Sequence, residues 1–492
     1  MRPGLLFAGA PEEKPAHRLA ESVAEDLGLS TVIDAMAAGD PDIAGAARRV
    51  LLSGPIDPAG VAYRQDILDD CVREPELGRE LYELAGRALE AQRAAARAVF
   101  FDTPETLLNQ ATATLSSFVD LLRELRSLAA RYEPRVSSAG FRQFFTMVGD
   151  QLNEEYLGSA AESIGQLGLR GNLLVSAQLG SGNQSEQFVV RRPPRSSRSL
   201  FRRGSAPKPP TAAYKVPYGD EAGHRALSSL RDQALAGLAD SAVRSAQHVL
   251  SFFASLRTEM AFYVGCLALR RALTERGAPV CRPVVRDVAS RSFSARGLYD
   301  PGLQLRLGEP ATANDFDADG RSLIMVTGAN RGGKSTFLRS VGLAQLLAAA
   351  GAFVPATAFT TTAGTGVFTH FTTDEDDSLT SGKFDEELRR MSRVADVVAP
   401  HGLLLCNESF QSTNEREGSD IARRVIDAMT GAGVTMVFVT HLNELAQGCY
   451  RGRERYPALF LRAERDRSFR LRGAEPEATS HGADLWNRVR QS

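Results

Sequence analysis

The sequence predicts a multidomain chain: a mostly α-helical region over residues 1–285, then an α/β domain with a parallel sheet over residues 286–492. Three observations carry that expectation. Apolar residues recur every three or four positions through the first half, which makes helix faces that pack on one another. From about Arg286, short apolar runs bounded by Gly and Thr alternate with helical stretches, as in successive βαβ units. Finally, the wholly apolar run Leu323 to Val326 leads into a glycine-rich loop and then a helical pattern.

Composition bounds the function classes. A chain of 492 residues is long enough for a few domains at roughly 100–200 residues each. With 43% apolar and 24% charged residues, disorder throughout and a fibrous chain are excluded. Lys+Arg 58 against Asp+Glu 59 gives a net charge of -1, so contact with a nucleic acid must come from a local patch. The 5 cysteines are scattered and form no C-x-x-C pair, which supports neither a disulfide framework nor a zinc site and suggests a reducing interior. The start of the chain soon meets Glu12, Glu13 and Lys14, a poor secretory signal. The apolar stretch Val341 to Val354 contains Gln345 and falls short of the ~20 residues a bilayer needs. No membrane contact and a cytoplasmic location are expected.

In chain order, Leu77, Leu81, Leu84 and Ala88 share one helix face, and Leu115, Val119, Leu122, Leu125 and Leu128 another. Pro104 and Pro134 punctuate these helices. Residues 171–192 read as two short strands around a Gly/Ser/Asn turn. The stretch 187–219 then carries Arg191, Arg192, Arg195, Arg198, Arg202, Arg203, Lys208 and Lys215 among Pro and Ser. It is either a solvated linker or an arm that neutralises nucleic-acid phosphates. Helix resumes near Glu221 and runs to about Ala278, with Leu250, Phe253, Leu256 and Met260 along a stripe.

The chemistry concentrates in Gly328-x-x-x-x-Gly333-Lys334-Ser335. With a strand before it and a helix after, this is a phosphate-binding loop in its required context. Glycines let backbone N–H groups curl round phosphates, the helix N-terminus adds positive potential, Lys334 reaches the β and γ phosphates, and Ser335 offers a hydroxyl to Mg²⁺. A second apolar run, Leu403 to Cys406, ends in Asn407-Glu408. Asn407 offers Mg²⁺ an uncharged carbonyl oxygen, and Glu408 is either the polariser of an attacking water or an ordinary helix N-terminal acid. A third strand ends at His441, where it either senses the γ-phosphate or simply packs.

These residues together resemble the MutS family of DNA mismatch-repair ATPases, within the ABC-type ATPase superfamily. Thr327-Gly328-Ala329-Asn330-Arg331-Gly332-Gly333-Lys334-Ser335-Thr336 is close to the family's TGPNMGGKST run. Gly351-Ala352-Phe353-Val354-Pro355 resembles its GxFVPA segment, Thr440 to Leu445 its TH-x-x-EL, and Ser480-His481-Gly482 its SYG. More weakly, residues 47–52 and 63–66 resemble the start of its helical core.

The resemblance implies a helical core and lever region followed by a P-loop ATPase domain. It implies ATP and Mg²⁺ on residues 328–336, with Ser335 and Asn407 towards the metal and Lys334, Glu408 and His441 in catalysis. It also implies a homodimer in which Ser381, Gly382 and Lys383 complete the other copy's site, and clamping on double-stranded or structured DNA through the basic loop. Three departures accompany it. Asn407 replaces an aspartate, Gly382 replaces the signature serine of the partner-contacting loop, and no counterpart of the mismatch-reading wedge is present in the sequence. A weakly hydrolysing or non-hydrolysing ATP switch, and an ABC-type ATPase acting on a non-DNA partner, are the alternatives. For the adenine, Tyr299 and Phe293 are the aromatic candidates.

Overall fold

A computed structural model describes residues 2–6, 16–54, 57–97, 103–167, 175–179, 185–190, 216–217, 219–329, 331–372, 382–453, 457–464 and 468–477. The arginines of the basic stretch, together with Lys208, Lys215, Asn330, Ser381 and the 480–482 motif, lie outside the described residues.

The first half is helical: α1 (Ala20–Asp26), α2 (Leu29–Ala37), α3 (Pro41–Leu52), α4 (Pro58–Arg73), α5 (Pro75–Arg97), α6 (Pro104–Tyr132), α7 (Ala139–Gln151) and α8 (Glu154–Leu167). A hairpin of β1 (Val175–Leu179) and β2 (Ser185–Val190) follows, and then α9 (Glu221–Thr274). Proline at the first helical position opens α3, α4 and α6, with Asp40, Asp57 and Thr103 capping the free N–H groups. Helix α9 is long and apolar enough by length and composition to cross a membrane, and 56% of its apolar window is buried within the protein.

The second half contains β3 (Val284–Arg286), β4 (Ser294–Leu298), α10 (Pro301–Arg306), β5 (Asn314–Asp317), β6 (Leu323–Gly328), α11 (Lys334–Ala350), β7 (Ala358–Thr362), β8 (Val367–Phe371) and α12 (Lys383–Ala395). It continues with β9 (Leu403–Asn407), α13 (Glu415–Gly431), β10 (Thr435–Val439), α14 (Asn443–Arg451), β11 (Ala458–Ala463) and β12 (Leu471–Gly473). One sheet has the order β12-β11-β6-β10-β9-β8, parallel except for β12. A smaller mixed sheet runs β3-β7-β4-β5. The central strands read as unbroken apolar runs because both faces are covered.

Packing divides the described residues into two compact units, which differs from a single cut near residue 285. One comprises residues of Leu81–Pro134 and Phe145–Arg257. Its core joins Leu108, Leu115 and Val119 of α6 to Ile164 of α8 and Leu235 of α9. The other comprises Gly4–Glu80, Arg135–Phe144 and the chain from Thr258 onward, so the first helices belong with the sheets. Two contacts within this unit show why. Buried Arg64 donates from Nε to Leu6 O at 2.8 Å and from Nη1 to Ala350 O at 3.2 Å, at the end of α11. Gly342, in the middle of α11, lies so close to its neighbours that a Cβ would sit 2.6 Å from Leu27 Cδ2 and 2.7 Å from Leu405 Cδ1.

Asp70 anchors the segment before α7. Its buried carboxylate accepts from Ser137 N at 3.0 Å and Ser138 N at 2.8 Å and pairs with Arg73. Asp70→Ala strands those donors and is expected to cost about 2–4 kcal/mol. The check is a lowered midpoint of this unit's urea transition, with Asp70→Asn intermediate. An unchanged midpoint would refute the anchoring role.

Candidate nucleotide site

In the large sheet, β10 lies between β6 and β9, so three strand ends open side by side at the carboxyl edge. That edge is where open α/β sheets hold ligands. From β6 the chain enters the glycine loop with Gly328 at φ 109°, Arg331 at φ 59° and Gly333 at φ 87°, and α11 starts at Lys334. Glycine at position 328 is obligatory: a Cβ would lie 2.4 Å from Ala463 O of β11. At position 332 a Cβ would meet Ala329 O and Ala463 Cβ, both at 2.8 Å. The loop thus closes on itself and on the neighbouring strand because two residues lack side chains.

Lys334 is only 4% exposed, and its Nζ donates to Gly328 O at 3.0 Å and Ala329 O at 2.9 Å. Burial pulls its pKa down from 10.5 to about 8, opposed by the nearby charge of Glu408. One residue on, Ser335 Oγ donates to Asn407 Oδ1 at 3.1 Å, joining the start of α11 to the end of β9. Glu408 and His441, from the ends of β9 and β10, meet with Nε2 to Oε1 at 3.3 Å. The His441 hydrogen bond holds the Glu408 carboxyl below the usual carboxylate range; burial opposes it, and the charges of His441 and Lys334 add to it. Glu408 is therefore ionised at neutral pH, and the hydrogen of the contact lies on His441 Nε2.

A cleft of about 520 Å³ opens over these groups. Its walls include Arg331, Lys334, Ser335, Thr336, Glu408 and His441. Gly382 and Lys383 lie at the N-terminus of α12, both exposed, and do not line this cleft. Of the two aromatic candidates, Phe293 packs edge-on to Phe316 at 5.1 Å and away from the cleft. Tyr299 lines the cleft but is 3% exposed, with its hydroxyl tied to Pro279 O at 2.9 Å. The aromatic wall that presents surface is Phe469, 48% exposed with φ 57°. A Cβ on Gly333 would come within 3.2 Å of its Cβ. Nothing near Phe469 in the sequence marks it; it arrives because Asn314 bonds to Phe469 O and Leu471 N, pinning the β11–β12 connection over the loop.

Oxygen donors suit Mg²⁺, and the Ser335 hydroxyl and Asn407 carbonyl lie close enough for one ion to touch both. Both are uncharged, so most of the charge holding a metal here would come from phosphate. Among the described residues no cluster of three His, Cys, Asp or Glu side chains is placed to hold a metal.

A helical multidomain chain whose parallel sheet gathers a glycine loop, a buried lysine and strand-end polar groups defines an α/β protein built to hold a ligand at that edge. Comparison with known proteins narrows the class. The family model for the MutS2 N-terminal domain matches residues 56–276, and that for MutS domain V matches residues 324–459. MutS protein homolog 4 of Mus musculus is 29% identical over 28% of this chain and 14% of its own length. The DNA mismatch repair protein MutS of Chloroflexus aurantiacus is 32% identical over 30% of this chain and 16% of its own. That of Synechococcus sp. (strain CC9605) is 32% identical over 34% and 18%. The chain belongs to the MutS family. These matches span less than a fifth of the relatives' own length.

Proposed function

We propose that the chain is a MutS-type ATPase in which binding and hydrolysis of ATP are coupled to clamping on DNA. The observation that carries this reading is the convergence of Lys334, Ser335–Asn407 and Glu408–His441 at one sheet edge. Loop N–H groups and the N-terminus of α11 receive the phosphates, which compete with two backbone carbonyls for the Lys334 ammonium. Ser335 and Asn407 would hold Mg²⁺, which would supply charge neutralisation to the phosphates. Ionised Glu408 orients a water, and His441 fixes the carboxylate and faces the γ-phosphate. Phe469 offers the adenine a face.

Two copies pair head to tail, so that Lys383 of the partner subunit, with its neighbours Ser381 and Gly382, brings positive charge to each site. Residues 286–492, with the first helices that pack in the same unit, carry the ATPase, and the remaining helices of residues 1–285 transmit its state to DNA. The protein acts in the cytoplasm. Arg191, Arg192, Arg195, Arg198, Arg202 and Arg203 contact phosphates without reading sequence.

The test is ATPase activity with and without a panel of duplex, branched and mismatched DNA. Stimulation by DNA supports the coupling; equal rates throughout favour a non-DNA partner. Removing residues 191–208 is expected to weaken DNA binding and to flatten its salt dependence by about 0.9 per lost phosphate contact. An unchanged affinity and slope would leave that stretch as a linker.

A further inference from the structure

We propose that Glu387 and His370 are positioning residues that hold the Glu408 segment in its working geometry and tie it to α12, the helix headed by Gly382 and Lys383. The proposal rests on the ATPase reading above.

The chain after β9 turns in an unusual way. Glu408 has φ 56° and Phe410 φ 66°, both left-handed and neither glycine. L-residues disfavour that region, so two such residues in three positions require outside support. The support is a buried polar cluster. Phe410 N donates to Glu387 Oε1 at 3.2 Å. His370 Nε2 meets Glu387 O at 3.0 Å, and His370 Nδ1 meets Ser409 Oγ at 2.6 Å. The imidazole also stacks on the Phe410 ring, centroids 5.5 Å apart at 23°. From the other side Gly418 of α13 presses on the same turn, where a Cβ would lie 2.3 Å from Phe410 O.

The hydrogen bonds assign the tautomer. A carbonyl only accepts, so His370 Nε2 carries the hydrogen towards Glu387 O, while the single Ser409 hydroxyl hydrogen lies between His370 Nδ1 and the His370 carbonyl, 2.9 Å from Oγ. Burial holds the imidazole neutral, with its pKa pulled down to about 4. Glu387 is an odd choice for stability alone. It is 5% exposed, and its Oε2 is buried with no hydrogen-bond partner among the described residues. A carboxylate in that setting is costly, which points to a role in placement.

Glu387 also has the right address. It lies four residues into α12, about 6 Å along the axis from Lys383. Its backbone carbonyl and its carboxylate both grip the cluster, so any contact that shifts α12 moves Ser409 and Phe410 together. Glu408 precedes them directly. The helix that heads towards the partner subunit thereby reaches this subunit's own water-orienting group.

The experiment compares full-length wild type, Glu387→Met and Glu387→Gln. Methionine fills the volume without an acceptor; glutamine keeps an oxygen for Phe410 N. Labelled-ATP affinity, turnover and amide exchange across residues 408–412 are measured on each. Glu387→Met is expected to lose at least about tenfold in kcat with ATP affinity within about threefold, and to exchange faster at 408–412. Glu387→Gln is expected to restore both. Unchanged kcat in Glu387→Met, equal loss of affinity and kcat, or no rescue by glutamine overturns the proposal. So does a wild type that binds ATP without turnover. A wild type that takes up no nucleotide overturns the ATPase reading itself, and this inference with it.

Discussion

Lys334→Ala is expected to weaken ATP binding by about 100-fold or more, the size of effect seen when one partner of a buried charge pair is removed. The ammonium is almost wholly buried and held at the loop mouth by two carbonyls, so no other cation in the cleft substitutes for it at that point. A pH signature accompanies the loss. In the empty site the lysine has a pKa of about 8. Phosphate favours the charged form, so ATP binding near pH 8 takes up protons, and affinity falls as pH rises through 8. Calorimetry in two buffers of different ionisation enthalpy reads that uptake, which Lys334→Ala abolishes.

The sign for stability is the reverse. Between about 8 and the ordinary 10.5 the unfolded chain binds more protons at this residue than the folded one, so the empty protein gains stability as pH rises across that window. Wild-type protein that shows no nucleotide uptake, or that binds as well without the lysine, would end the ATPase reading.

Glu408→Gln is expected to separate binding from chemistry. The amide keeps the shape and a contact to His441, so ATP affinity stays near that of wild type, while turnover falls by about 10²–10⁴-fold through loss of the general base. The comparison also decides whether this chain hydrolyses at all. Asn407 brings a neutral oxygen where the family carries a carboxylate, and here that oxygen already accepts from Ser335. If wild type and Glu408→Gln share the same negligible rate, the chain is an ATP-driven switch. A companion Asn407→Asp is then expected to tighten Mg²⁺ and raise turnover by restoring the missing charge.

Much of the site was legible because its motifs are local. The run Leu323–Val326 became β6, the runs ending at Asn407 and before His441 became β9 and β10, and the three strands lie side by side. The stripes Leu77–Ala88 and Leu115–Leu128 are buried as their spacing predicts. The strand pair near 171–192 and the helix from Glu221 also formed. What escaped was non-local. Phe293 is as aromatic as Phe469, but only the pairing of Asn314 with the β11–β12 connection decides which one faces the cleft. His370 carries no motif of its own, and Glu387 lies in the 382–388 run that resembles the family's partner-contacting loop; their joint role shows only because β8 and α12 both pack against the turn after Glu408.

The amino-acid order alone determined the helical and βα segments, the glycine loop and the polar residues at three strand ends. Each follows from periodicity or backbone sterics within a short window. The fold alone decided that the first helices join the sheets, that Phe469 walls the cleft, and that a strained turn is braced by a buried histidine and glutamate. Those depend on contacts between residues far apart in the chain, which no short window encodes.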